Sequence, residues 1–385
     1  MPPRSTIIVV FSLLALLHVL IAWRLLPDLP PGAFIWAWQW SGIAYLLLSF
    51  VLVPAGLLAR GIKRQPLSDR LAWVGLLAMG MFSSLLVLTL ARDVMLLAAS
   101  VLGVRSDSLV HGSALGVPLL AALVTLFGYF NARRLAQVVK VDVPIANLPP
   151  QLHGFTIAQI SDIHVGPTIK RRYLEAIVGA VNRLKPDLIA ITGDLVDGSV
   201  PELAAHTAPL ADLSARHGTY FVTGNHEYYA GAHAWIAELR RLGLTVLLNQ
   251  HVIVQHQGAP LLVAGVTDYT AHHFDEAHRS DPQAALTGAP AGDLIKVLLA
   301  HQPRSATAAA AAGFDLQLSG HTHGGQFFPW NFFVPLQQPY TAGLNRLKQL
   351  WVYTSRGTGY WGPPKRLGAP SEITHLRLVR AVVGA

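Results

Sequence analysis

No cysteine occurs in these 385 residues. Disulfides, thiolate metal sites and cysteine nucleophiles are therefore excluded. The absence is consistent with a domain facing a reducing compartment. Charge is scarce too. Asp, Glu, Lys and Arg make up 13% of the chain, against about 25% in an ordinary soluble protein. Apolar residues make up 52%. This balance excludes an intrinsically disordered chain and argues against a wholly soluble one. No internal repeat is present. The one biased tract, the alanine-rich run 306–312, reads as a closely packed helix surface.

The scarcity of charge is uneven. Residues 1–147 hold 11 Lys/Arg and 5 Asp/Glu; residues 148–385 hold 18 and 16, with 15 of the 17 histidines. In the front part, the stretches 5–23, 32–59, 71–91 and 108–132 contain no charged residue. Each supplies the roughly 20 residues that cross a bilayer core. They predict a multi-pass domain, residues 1–134, with about four transmembrane helices spanning 5–23, 34–59, 71–97 and 111–132. A cleaved signal peptide would account only for the first run.

Flanking charges set the orientation. Arg4, then Arg60, Lys63, Arg64 and Arg70, then Arg133, Arg134 and Lys140 place the N-terminus, the 60–70 loop and everything after 133 in the cytoplasm, beneath a cell (inner) membrane. Arg92 and Asp93 interrupt the third run. They read as an interfacial ion pair on one long helix; a functional intramembrane pair is the competing reading. A separate fifth span there would reverse the orientation. Pro144, Pro149 and Pro150 suit a linker over 135–151, and a second domain follows at 152–385.

The second part repeats one pattern. A short apolar run, read as a buried strand, stops at a polar cluster. Residues 155–160 run into Ser161-Asp162-Ile163-His164, and 188–191 into Thr192-Gly193-Asp194. Residues 220–222 run into Thr223-Gly224-Asn225-His226-Glu227. Residues 297–299 run into Ala300-His301, and 316–318 into Ser319-Gly320-His321-Thr322-His323. Helical stretches at 172–184 and 233–242 separate some of them. Alternating strand and helix predicts a layered α/β domain, whose sites form beyond the carboxyl ends of strands. The donors are oxygen and nitrogen without sulfur, which suits Mn, Fe, Zn or Co. They are too many for one ion; two ions about 3.5–4 Å apart, sharing a carboxylate, would use them all.

Asp-x-His, Gly-Asp, Gly-Asn-His-Glu, a strand-end His and Gly-His-Thr-His occur in that order. This ordered set resembles the calcineurin-like metallophosphoesterase superfamily, over residues 152–380. The runs Gly320-His-Thr-His-Gly-Gly-Gln326 and Tyr353-Thr-Ser-Arg-Gly357 are similar to a bacterial, membrane-anchored branch of it. The resemblance implies a four-layer αββα sandwich of two mixed sheets, here preceded by the transmembrane bundle. It also implies two divalent ions, of Mn, Fe, Zn or Co. Asp162, His164 and His323 would bind one, Asp194 would bridge both, and Asn225, His301 and His321 would bind the second. His226 would touch the scissile phosphate and protonate the leaving group. The implied reaction is attack of a metal-bridged hydroxide on a phosphodiester, pyrophosphate or phosphomonoester, with no covalent enzyme intermediate. Lipid-linked substrates are included, since related enzymes cleave UDP-2,3-diacylglucosamine. One departure is Gln302, where this branch often carries an acidic residue that would orient His301.

Other residues have blander readings. Glu227 caps or orients its loop, and Asp197 and Asp268 hydrogen-bond turns. His272, His273, Asp275, Glu276 and His278 read as a polar surface loop rather than another metal site. Arg356 is structural or contacts phosphate. Lys170, Arg171 and Arg172 read as a solvated helix start. The aromatic run 327–333 is core, substrate groove or membrane contact. The alternative to a hydrolase is a catalytically weak membrane sensor or scaffold with a phosphoesterase-like domain, which would lack ligands; none is missing. Beyond Arg92 and Asp93 the spans lack the internal charges of a transporter or channel, and 18 basic against 16 acidic residues with no basic stripe argue against a nucleic-acid partner.

Overall fold

The structure, a computed structural model, describes residues 4–62 and 64–381. Lys63, used above for orientation, and residues 382–385 lie outside the described residues. The chain divides into two compact units, residues 1–130 with 362–365, and residues 131–361 with 366–385.

The first unit is built on α1 (Arg4–Leu25), α2 (Ile35–Leu58), α3 (Leu67–Val101) and α4 (Asp107–Arg133). All four are long and apolar enough to cross a membrane. Ile8, Val9, Trp36, Leu57, Leu97 and Phe127 are exposed, as expected of helices whose solvent is lipid. The α2 and α3 backbones meet at Gly56 and Gly75, where a Cβ on Gly56 would stand 2.6 Å from Gly75 Cα. Small residues at such crossings let membrane helices pack by close contact.

Arg92 and Asp93 do not pair with each other. The 35-residue α3 runs through both. Successive helical residues point about 100° apart, so the two find different partners. Arg92 donates to Asp28 Oδ2 at 2.6 Å, to the Arg24 carbonyl at 2.9 Å and to Ser113 Oγ at 2.9 Å. Asp93 pairs with Arg24 at 2.9 Å. The α1–α2 loop, α3 and α4 are thereby tied together. In the same unit, the buried Lys365 donates to the Gly80 carbonyl and Thr125 Oγ1, each at 3.2 Å, and to Ser84 Oγ.

Among the described residues the second unit holds twelve strands: β1 (Gln137–Ile145), β2 (Thr156–Ile160), β3 (Leu188–Thr192), β4 (Thr219–Val222), β5 (Thr245–Val246), β6 (Gln250–His256), β7 (Ala259–Gly265), β8 (Ile295–Leu299), β9 (Leu316–Ser319), β10 (Gly343–Leu347), β11 (Leu350–Thr354) and β12 (Glu372–Arg380). They form two six-stranded sheets, ordered β1-β12-β2-β3-β4-β5 and β10-β11-β9-β8-β7-β6. Strands β2 to β5 are mutually parallel, as are β7, β8, β9 and β11; β12 is antiparallel to β2, and β6 and β10 are antiparallel edges. The helices are α5 (Arg171–Arg183), α6 (Val200–Thr207), α7 (Asn225–Ala230), α8 (Ala232–Arg241) and α9 (Ala306–Ala311).

Strand periodicity separates the cores. Leu188 and Ala190 join Val263, Leu299 and Leu318 between the sheets. Their neighbours Ile189 and Ile191 face the other way, onto Leu174, Ile177 and Val181 of α5 and Trp235 of α8, because successive strand side chains point to opposite faces. On the second sheet, Leu262, Ala264 and Leu298 pack against Ala306 and Ala309 of α9. The order is helix, sheet, sheet, helix, a four-layer αββα sandwich. The alanine-rich run forms α9 with Ala306 and Ala309 buried. The stretch expected to link the two parts carries β1, paired in parallel with β12 from Gln137↔Glu372 to Ile145↔Arg380. Val139, Val141, Val143 and Ile145 alternate at the period of an edge strand, with Val143 and Ile145 buried.

Candidate metal centre

The carboxyl ends of β2, β3, β4, β8 and β9 each release a short loop, and the loops interlock through backbone bonds. The Asp162 amide donates to the Gly193 carbonyl at 3.0 Å, His164 to Asp194 at 3.2 Å and Gly320 to His301 at 2.9 Å. Buried Gln159 donates to Thr192 Oγ1 and to the Ser319 carbonyl, each at 2.9 Å, stitching the sheets together behind the loops. Asp162, His164, Asp194, His321 and His323 all have positive φ, between 51° and 71°. Non-glycine residues take this conformation at a cost of order 1–3 kcal/mol each. Here it turns the side chains inward at the strand ends.

Two sets of donors result. One oxygen or nitrogen from each of Asp162, His164 and His323 lies within 4.8 Å of the others, and the same holds for Asp194, His301 and His321. His164 Nε2 and His323 Nε2 stand 3.1 Å apart. His301 Nε2 is 3.1 Å from Asp194 Oδ2 and 3.2 Å from His321 Nδ1. The Asp162 carboxylate accepts the His321 amide at 2.9 and 3.1 Å, which joins the two sets.

Residues 155–325 match the calcineurin-like phosphoesterase family. An uncharacterised metallophosphoesterase from Campylobacter jejuni is 33% identical over 347 residues, which are 87% of this chain and 90% of that protein. The chain belongs to the metallophosphoesterase family. A transmembrane protein with metallophosphoesterase domain from Danio rerio is 38% identical over 271 residues, 68% of this chain and 62% of its own length. A protein of the same description from Bos taurus is 42% identical over 280 residues, 69% of this chain and 63% of its own length. The chain thus spans a little over three fifths of these two relatives.

Membership in the metallophosphoesterase family implies divalent ions, and the donor set fits them. Asn225 Oδ1 is buried without a hydrogen-bond partner among the described residues. Such an atom is costly unless a ligand satisfies it. Burial, reinforced by the His301 imidazole, pushes His321 down to about 3. Burial and the His164 imidazole hold His323 well below the ordinary histidine range. Both rings therefore offer unprotonated nitrogen, the form a metal binds. Burial would raise the Asp194 carboxyl, but the His301, His226 and His164 imidazoles hold it well below the ordinary range, so it is a carboxylate.

The geometry of this metallophosphoesterase also sorts the remaining residues. His301 Nδ1 donates to the Thr192 carbonyl at 2.7 Å. That bond orients the ring without an acidic residue at 302. Gln302 instead donates to Asp268 at 3.0 and 3.1 Å, and Asp268 accepts from the Thr270 amide at 2.8 Å, the turn role expected of it. Glu227 accepts the amides of Gly224, Asp194, Leu195 and Val196 at 2.7, 3.0, 2.8 and 3.3 Å, so it organises two site loops at once. Asp197 does more than hold a turn. Its Oδ1 accepts from His164 Nδ1 at 3.1 Å and from His226 Nδ1 at 2.6 Å. Burial opposes ionisation of Asp197, but those two histidines hold its carboxyl well below the ordinary range. Arg356 donates to Glu372 at 2.8 Å. The buried Arg366 reaches the His323 carbonyl at 3.2 Å and its Nδ1 at 3.1 Å. It was missed because the run Pro363-Pro364-Lys365-Arg366 reads as an exposed loop, and no local signal marks it as buried.

Gly320 is required by close approach. A Cβ there would collide with Ser161 Oγ and Asp162 Oδ2. Gly320→Ala is expected to displace the Asp162 carboxylate and lower metal content and phosphoesterase turnover by at least about tenfold, the scale of losses when a ligand's support is disturbed. Metal analysis of the purified variant, with the wild type alongside, checks it.

Proposed function

We propose that the protein is a membrane-anchored, dinuclear metal-dependent phosphohydrolase. The convergence of six donors from four strand ends, with the buried Asn225 Oδ1 left unpartnered at a fifth, carries this reading. Asp162, His164 and His323 would hold one ion, Asn225, His301 and His321 the other, and Asp194 would be shared. When bound, two such ions supply positive charge for the phosphoryl oxygens and lower the pKa of the attacking water. The chain's own residues do the rest. Asp197 fixes His164 and His226 by their Nδ1 atoms, which leaves each Nε2 to work. For His164 that work is ligation. For His226, tethered further by its amide to Asp194 Oδ1 at 2.9 Å, it is proton donation to the leaving oxygen. Its ring packs against Tyr229 and Trp361, centroids 5.3 and 5.7 Å away, which limits its swing and excludes water on that side.

The division of labour we assign is membrane anchoring by residues 1–134 and phosphoester cleavage by residues 152–385, with 135–151 entering the catalytic sandwich as β1 and the catalytic part on the cytoplasmic side of the inner membrane. The substrate we assign is a phosphodiester or pyrophosphate bearing an acyl chain, of the UDP-2,3-diacylglucosamine kind. Phe327 is buried, but Phe328, Trp330, Phe332 and Phe333 are 55%, 43%, 66% and 53% exposed directly after the His321-Thr322-His323 loop. Aromatic side chains left in the open suit an apolar ligand or bilayer interface. The full chain in detergent micelles is expected to cleave a lipid pyrophosphate or phosphodiester with kcat/KM at least about tenfold above its short-chain analogue, since each buried methylene contributes roughly 0.8 kcal/mol. Equal rates on the two would remove the lipid; no metal-dependent cleavage of either would remove the hydrolase.

A further inference from the structure

A separate group of metal-type donors stands at α8. His233 is the second residue of α8, whereas Asp275 and His278 lie in the loop between β7 and β8. His233 Nε2 is 3.1 Å from Asp275 Oδ2, and His278 Nε2 is 4.0 Å from the same oxygen. One donor atom of each residue lies within 4.8 Å of the others. The two rings have centroids 5.0 Å apart.

What distinguishes the group from a chance ion pair is the way its other atoms are occupied. Asp275 Oδ1 accepts the Ala277 amide at 3.0 Å, so Oδ2 is the oxygen offered. His278 Nδ1 meets the Tyr228 hydroxyl at 2.8 Å, so Nε2 is the nitrogen offered. Histidines that ligate metals characteristically have their second ring nitrogen held in this way. Burial pushes the His278 imidazole below the ordinary histidine range, which keeps it unprotonated at neutral pH. Neighbours in the loop are otherwise engaged: Glu276 pairs with Arg279 at 2.7 Å, and His272 packs on His273 with centroids 4.0 Å apart. A second cluster, Asp187, His217 and His256, converges as closely. There the Arg216 guanidinium lies 3.7 Å from the Asp187 carboxylate and would repel an incoming cation.

We propose that His233, Asp275 and His278 form a further divalent-cation site, distinct from the seven-ligand centre and suited to zinc. Two imidazoles and one carboxylate with solvent access make a donor set that zinc takes in three-ligand sites, at about 2.0–2.2 Å per bond. Tetrahedral bonds of that length place donors about 3.3 Å apart, so His233 and Asp275 already stand at that spacing and His278 must approach Asp275. Occupancy would pin the loop to α8. Through Tyr228 it would also hold α7, whose first residues are Asn225 and His226.

The test uses the full chain in detergent micelles, dialysed against zinc chloride, with bound zinc counted by mass spectrometry. The wild type is expected to retain one zinc more than either His233→Ala or Asp275→Asn. That difference does not depend on how many ions the seven-ligand centre holds. Zinc is also expected to slow amide exchange over residues 271–279 in the wild type and to lose that effect in both variants. Equal stoichiometry in all three proteins, or slowing that persists in the variants, overturns the site.

Discussion

Asp194→Asn is expected to lower metal-dependent hydrolysis of a chromogenic phosphodiester by at least about 10³-fold, the upper range for loss of one charge-stabilising group. Both carboxylate oxygens and the residue's own amide have partners within the site. Oδ1 accepts the His226 amide at 2.9 Å, Oδ2 faces His301 Nε2 at 3.1 Å, and the residue's own amide donates to Glu227 at 3.0 Å. Asparagine preserves the shape and accepts the His226 amide. It is also among the residues that best tolerate the positive φ of 51° found here. What it removes is the negative charge that two cations would share. The variant should therefore keep the wild-type secondary structure by circular dichroism, while metal content falls with activity and the unfolding midpoint drops by the stabilisation the lost metal supplied. A variant that binds its full metal complement and turns over normally would refute the shared-ligand assignment.

The second large effect concerns His226. His226→Ala is expected to retain its metals and to lose about 10²–10⁴-fold in kcat on substrates with an alkoxide leaving group, the usual range for general acid catalysis. On p-nitrophenyl esters the loss should be much smaller, because that leaving group departs without a proton. Burial alone would depress the ring's pKa; the Asp197 hydrogen bond and the Asp194, Asp197 and Glu227 carboxylates raise it above the ordinary value, favouring the proton-carrying form. Parallel assays on the two leaving groups, with metal counted in each preparation, decide the matter. An equal loss on both would end the acid role, and loss of metal would make His226 a ligand instead.

The strand ends were legible because buried parallel strands are short and uniformly apolar, so the donors that interrupt them stand out. Leu188 to Thr192 is buried at every position, and Asp194 follows at once. The four long helices were readable for the same reason, from runs of one character, whereas the pair of sheets came only with the family resemblance. Asp197 was not legible as a bridge, since its partners His164 and His226 come from other loops and only tertiary structure brings them to one oxygen. The second cation group escaped likewise: its loop half was visible as a histidine cluster, but His233 comes from a helix well before it. Strand β1 was hidden by three prolines that suggest a linker. One of them, Pro144, sits within β1 itself. Proline is tolerated there because an edge strand has one side free of a ladder partner.

That edge has a bearing on how the sandwich is assembled. Strand β12 lies between β1 and β2, yet the ribosome makes it after every other strand described. β1 and β2 have no ladder with each other, and each depends on β12 for the hydrogen bonds on that side. The first sheet therefore cannot be complete until synthesis has passed Glu372. A chain cut short before that point would leave both edges unpaired, the kind of edge that invites a wrong partner.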